Sequence, residues 1–157
     1  MQEVGAASGA NQALWLPAPL FLGGITGITQ GGSPPGGGNL DRTSVLPYPD
    51  GASSQAYSTV QIPYGWNAMN VDLFWMVASG TGDVVWQDYI HAFGEGDSTG
   101  NDNQISATVT APAVAAFVVA RTRLHTAVVI SADKFVRVAV RREGAAAGDT
   151  LTTTANL

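Results

Sequence analysis

Between Met69 and Ala78 the sequence alternates with a period of two. Val71, Leu73, Trp75 and Val77 fall on one face of an extended chain, and Asn70, Asp72, Phe74 and Met76 fall on the other. A helical period would scatter the four apolar residues around the cylinder, so this stretch reads as a strand with one buried face. Ala56 to Pro63 precedes it with the same texture. Val84 to Phe93, Gln104 to Thr110, Ala115 to Leu124, Thr126 to Ser131 and Lys134 to Arg142 follow, each short and bounded by Pro, Ser, Asp or Gly, and Thr150 to Ala155 is expected to pair at a sheet edge. Strands at intervals of roughly ten residues are the pattern of a β-sandwich or barrel. The expected fold is therefore all-β, a single β-sandwich of jelly-roll type. The glycine turn Ser79-Gly80-Thr81-Gly82-Asp83 predicts that the strands on either side of it form a hairpin. Ala111 to Leu124 is the one helical competitor, its alanines suiting a helix and Val114, Phe117, Val118 and Val119 suiting a strand.

Composition agrees with this reading. Only 12% of residues are charged, whereas exposed helices normally carry Lys, Glu and Arg on their outer face. A chain of 157 residues is long enough for one domain with a real core. The absence of cysteine excludes disulfides, thiolate metal sites and cysteine nucleophiles.

Ahead of the strands the texture differs. Residues 1 to 22 read as an N-terminal arm, small and polar at first, then dense and apolar from Leu14 to Leu22, with Pro17 and Pro19 excluding a central strand. Eight glycines lie between Gly23 and Gly38, and residues 23 to 55 read as a glycine-rich linker or long loop leading into a sandwich over 56 to 157. Met1 to Ala13 has neither the basic nor the apolar region of a secretory signal, and no stretch reaches the length of a membrane span, so a soluble, unprocessed chain is expected.

One set of residues is more specific. Ile62-Pro63, Met69-Asn70-Val71-Asp72-Leu73-Phe74-Trp75-Met76 and Gly80-Thr81-Gly82-Asp83-Val84-Val85-Trp86 are followed by Val136-Arg137-Val138-Ala139-Val140-Arg141-Arg142, Gly148-Asp149-Thr150 and Ala155-Asn156-Leu157. In that order they resemble the jelly-roll-like virion structural proteins of tailed bacteriophages, over about 100 residues from Tyr57 onward. The resemblance implies a component of a phage particle, either a head decoration or cement protein or a module of a tail fibre or appendage. Its partners would be the major capsid protein and identical subunits, as a homotrimer, and its place the virion, assembled in the host cytoplasm.

Catalytic and metal-binding patterns are weak. His91 and His125 lie on different predicted strands without zinc-ligand spacing, and Ser131, His125 and Asp133 lack the context that activates a serine nucleophile. Glu95, Asp97, Asn101, Asp102 and Asn103 offer oxygens to a cation such as calcium, but not with EF-hand spacing, and loops between strands are rich in these residues anyway. Asp83 and Asp88 are the carboxylates a glycosidase would need, although Asp83 falls in a turn. The chain is accordingly expected to be non-enzymatic, with no cofactor and no metal.

Charge is polarised along the sequence. Residues 1 to 120 hold Arg42 against nine acids, a balance of −8, and the remainder hold six bases against three acids, a balance of +3, for a net −5. Such a surface repels nucleic acid, and no membrane contact is expected. On the strand from Lys134 to Arg142, Val136, Val138 and Val140 face one way and Arg137, Ala139 and Arg141 the other, so an arginine row lines one sheet face. That row is either a solvated polar face or a contact with acidic groups on identical neighbours. The candidate interface residues are Leu14, Trp15, Leu16, Leu20, Phe21, Trp66, Arg137 and Arg141. A receptor- or glycan-binding module is the alternative, with Tyr48, Tyr57 or Tyr64 stacking on sugar.

Overall fold

A computed structural model describes residues 22–23, 47–51, 53–62, 66–97, 104–130 and 134–157. Nine strands appear in it: β1 (Leu22–Gly23), β2 (Pro47–Tyr48), β3 (Ser53–Gln61), β4 (Ala68–Val77), β5 (Asp83–Phe93), β6 (Ile105–Pro112), β7 (Ala120–Val129), β8 (Phe135–Glu143) and β9 (Ala155–Asn156). Among the described residues there is no helix, so the helical alternative for Ala111 to Leu124 fails. The strands form two antiparallel sheets, one ordered β1-β3-β8-β5-β6 and the other β2-β9-β4-β7. β2 and the start of β3 already belong to these sheets, upstream of residue 56.

The sheets close on a common interior. Alternation in β4 puts Leu73, Trp75 and Val77 inside, as the sequence predicts, and β5 answers with Val84 and Trp86 from the other sheet. Tyr48, Trp75 and Trp86 meet edge to face, at centroid distances of 5.2 Å for Tyr48–Trp86 and 5.6 Å for Trp75–Trp86. The Trp75 Nε1–H donates to Thr122 Oγ1 at 2.9 Å, which satisfies an indole buried in this layer. A second cluster fills the other end, built from Ile62, Ile90, Val128, Ile130, Val136 and Val138.

The predicted hairpin across Ser79–Asp83 does not form. β4 bonds to β7 and β9, whereas β5 bonds to β6 and β8, so the turn carries the chain from one sheet to the other. The reason lies in the two tryptophans, which are both buried by facing each other across the sandwich. Nor do Ala115 to Leu124 and Thr126 to Ser131 form two strands. They contribute one, β7, and residues 113–119 form a loop held by the Phe117 N–H on Val77 O, with Phe117 at a φ of 60° that ends extended structure. β7 stays continuous beyond His125 because its register slips twice opposite Met69–Asp72, a bulged stretch in which Ala127 takes a φ of 53° and donates its N–H to Asn70 Oδ1. The terminal segment also departs from expectation: β9 lies between β2 and β4 and not at an edge.

Candidate interaction surface

β8 runs through the middle of the five-stranded sheet, and its alternation decides what each sheet face carries. Val136, Val138 and Val140 point inward, and Phe135, Arg137, Ala139 and Arg141 point outward, so the predicted arginine row lies on the outer face. Thr59 of β3 and His91 of β5 stand in register with Arg137, and Tyr57 and Phe93 lie one diagonal step away. The half-buried Arg137 guanidinium sits 5.9 Å from the Tyr57 ring centroid and 5.6 Å from that of Phe93. Phe93 in turn stacks on Phe135 at 6.0 Å, and Phe135 is 44% exposed.

The two arginines of the row differ in electrostatic state. Arg141 Nε pairs with Glu143 Oε1 at 2.7 Å, and Glu143 also accepts the Ser53 hydroxyl. Elsewhere Arg121 and Arg123 share Asp72, Lys134 holds Asp97, and Arg142 holds Asp149. Among the described residues Arg137 is the one Lys or Arg side chain with no carboxylate partner, and its Nε is buried without a hydrogen bond. A half-buried arginine beside two rings, on the central strand of the sheet, is suited to receive an anionic group from outside.

Parity with Val136, Val138 and Val140 places Arg142 inside, although nothing local in the sequence marks a role for it. Its guanidinium uses all five N–H donors: two on Asp149, and the others on the carbonyls of Tyr48, Leu151 and Thr153. Asp149 is held further by the Val85 N–H. Next to it, Thr150 and Leu151 donate their N–H groups to Asp83 O, and the Asp83 N–H donates to Thr150 Oγ1. Gly82, at a φ of 136°, passes so close to Thr150 that an added Cβ would lie 2.6 Å from its carbonyl oxygen. Gly82-Asp83-Val84-Val85 and Gly148-Asp149-Thr150 therefore touch each other. They make a clamp that fastens the C-terminal segment to β5.

The other candidates are placed as follows. Leu14, Trp15, Leu16, Leu20 and Phe21 lie outside the described residues, as do Tyr64, Ser131, Asp133 and Asn101 to Asn103. Trp66 packs against the second core cluster of its own chain. Tyr48 is fully buried, with its hydroxyl on Val140 O and its pKa raised by burial, so it cannot stack on a sugar; β2 pairs with β9 and draws it into the core. Tyr57 is a strand residue against Arg137 and not a loop aromatic.

Asp83 and Asp88, five positions apart on one strand, lie on opposite faces of it and cannot work as a pair. Asp88 points into the sandwich between the two clusters. Its Oδ1 accepts the Ala107 N–H at 2.7 Å, its Oδ2 lies 3.4 Å from His125 Nδ1 without a hydrogen bond, and burial raises its pKa above the usual carboxylate range. Asp97 is occupied by Lys134 and the Gly94 N–H, and that lysine holds its carboxyl below the ordinary range. Among the described residues no cluster of three metal-ligating side chains occurs. Comparisons with protein-family models, curated proteins and solved structures find no match to this chain.

Proposed function

We propose that this protein is a structural, non-enzymatic component of a phage particle, a head decoration protein that binds the outer surface of the capsid and stabilises it. In this reading the sandwich is of jelly-roll type and residues 1 to 22 are an arm that docks on the capsid, ordering as it binds. The observation that carries the proposal is the outer face of the five-stranded sheet, where Arg137, Tyr57, Phe93 and Phe135 form an aromatic surface around a base with no acid of its own. Arginine and aromatic residues contribute most of the energy in protein assemblies, and a rigid sheet holds them at little further entropic cost. The sequence resemblance to virion proteins supplies the setting. Support also comes from β1, whose Leu22 and Gly23 pair with Tyr57 and Ala56, because this brings the end of the proposed arm to the margin of that same face.

The test is co-sedimentation of purified protein with phage heads lacking it. The full chain is expected to saturate the heads at a fixed copy number and to raise their resistance to heat. Deletion of residues 1 to 22 is expected to abolish binding while leaving the sandwich folded. Saturable glycan binding with no affinity for heads would overturn the proposal.

A further inference from the structure

The arginine that lacks an acid has a counterpart in an acid that lacks a base. Glu95 follows Phe93 by two residues, in the tight turn closed by the Asp97 N–H on Gly94 O, and it is exposed. Among the described residues no base pairs with it, since Lys134, the cation of that turn, is taken by Asp97. In the β5–β8 register Arg137 stands level with His91 and Phe135 level with Phe93, and Glu95 comes two residues further on, so along β5 the two charges lie on either side of the half-buried Phe93 and the exposed Phe135. A surface with an apolar centre, an unpaired cation on one side and an unpaired anion on the other is complementary to itself. Rotating a second copy by a half-turn over the aromatic pair brings each anion towards the other copy's cation, the arrangement a two-fold contact requires.

We infer that the outer face of the five-stranded sheet is a self-pairing surface, and that its partner is a second copy of this chain. Phe93 and Phe135 of the two copies stack at the centre, and Arg137 of each copy meets Glu95 of the other. The local arrangement of charges favours an identical partner over a strongly acidic one. Two copies, each with a net charge of −5, repel one another overall, so what favours an identical partner is local: each half of the contact joins one cation to one anion, whereas a partner offering only acids would satisfy Arg137 and leave Glu95 facing like charge. The inference rests on the reading of this face as a contact surface, and not on the identity of the particle it belongs to.

Charge reversal tests it in the full-length chain. Sedimentation equilibrium across the micromolar range is expected to show a monomer–dimer equilibrium for the unaltered protein. Arg137→Glu and Glu95→Arg, each placing like charges against one another, are expected to raise the dissociation constant at least about tenfold. The double variant R137E/E95R restores the attraction with its sign inverted and is expected to bring the constant back towards the starting value. Glu95 is exposed but Arg137 is half-buried, so unfolding curves matching those of the unaltered protein check each fold, and Phe135→Ser weakens pairing without touching charge. A monomer at every concentration, or a double variant no better than the singles, would overturn the inference. Head binding has its own assay, so a monomer that still coats heads separates this failure from failure of the decoration reading.

Discussion

Arg142 and Asp149, seven residues apart in the chain, form a doubly hydrogen-bonded ion pair in which neither side chain reaches solvent. The pair joins β8 to the segment that returns over β5, and the spare donors of Arg142 fix the backbone of that segment and of β2. Arg142 has replaced its water with Asp149 and three carbonyls, and Asp149 has replaced its own with Arg142 and the Val85 N–H, so neither charge can be removed alone at low cost. Arg142→Met is expected to destabilise the protein by about 3–5 kcal/mol, because it leaves Asp149 buried without its cation. The double variant R142M/D149L is expected to lose less than the sum of its single changes. Urea midpoints measure both effects, and faster hydrogen exchange at the Leu151 amide would report release of the clamp.

Gly82 makes a different kind of contribution, since what matters there is the absence of a side chain. Alanine at this position must adopt a φ that L-residues rarely take and must displace the Thr150 backbone. The Gly82→Ala variant is expected to cost about 1–3 kcal/mol. If its denaturation midpoint is unchanged, the close approach of the two backbones is not a constraint on the fold.

Asp88 gives stability a pH dependence of unusual sign. Its carboxyl has a native pKa raised by burial, so the native state holds the proton more tightly than the unfolded chain, whose value is about 3.9. The stabilisation this supplies is complete below the unfolded value and is lost as pH rises through the native one. Asp88→Asn keeps an acceptor for the Ala107 N–H and removes the titration, so its advantage over the unaltered chain is expected to grow with rising pH across that window. Asp72 acts in the opposite direction. Hydrogen bonding to Arg123 lowers its pKa, and its contribution is present above the unfolded value and lost as pH falls through the native one. Denaturation curves at a series of pH values distinguish the two, and a constant difference between Asp88→Asn and the parent would contradict the assignment.

Much of the sheet architecture is legible from side-chain parity. The faces of β4 and β8 follow from counting by twos, and the same count places Arg137 and Arg141 outside. It places Arg142 inside as well, but a buried guanidinium becomes plausible only when five acceptors are known to converge on it, and those come from residues 48, 149, 151 and 153. Turn chemistry was legible in kind and not in outcome. Gly80 and Gly82 signal a reversal of direction, yet local sequence does not say whether the strands beyond a reversal bond to each other or face each other across a core. The single strand β7 is obscured for a related reason: Ala120, Thr122, Leu124 and Val128 keep one inward phase, but Thr126 between the last two is polar and exposed at the bulge, which interrupts the count. The pairing of Phe93 with Phe135, and hence the setting of Arg137, depends on β5–β8 register, which no periodicity within either strand contains.

The position of β9 makes the pairing of β2 depend on the C-terminal end of the described chain. β2 touches the four-stranded sheet through β9 alone, with Tyr48 opposite Ala155 and Pro47 opposite Asn156, while β9 itself bonds to Met76 and Val77 of β4. Until the segment after the clamp has settled beside β4, Tyr48 has no strand to pair with and the aromatic layer over Trp86 stays open. Closing contacts between residues more than a hundred positions apart carries an entropic penalty, and here that penalty is offset only once the C-terminal strand is in place.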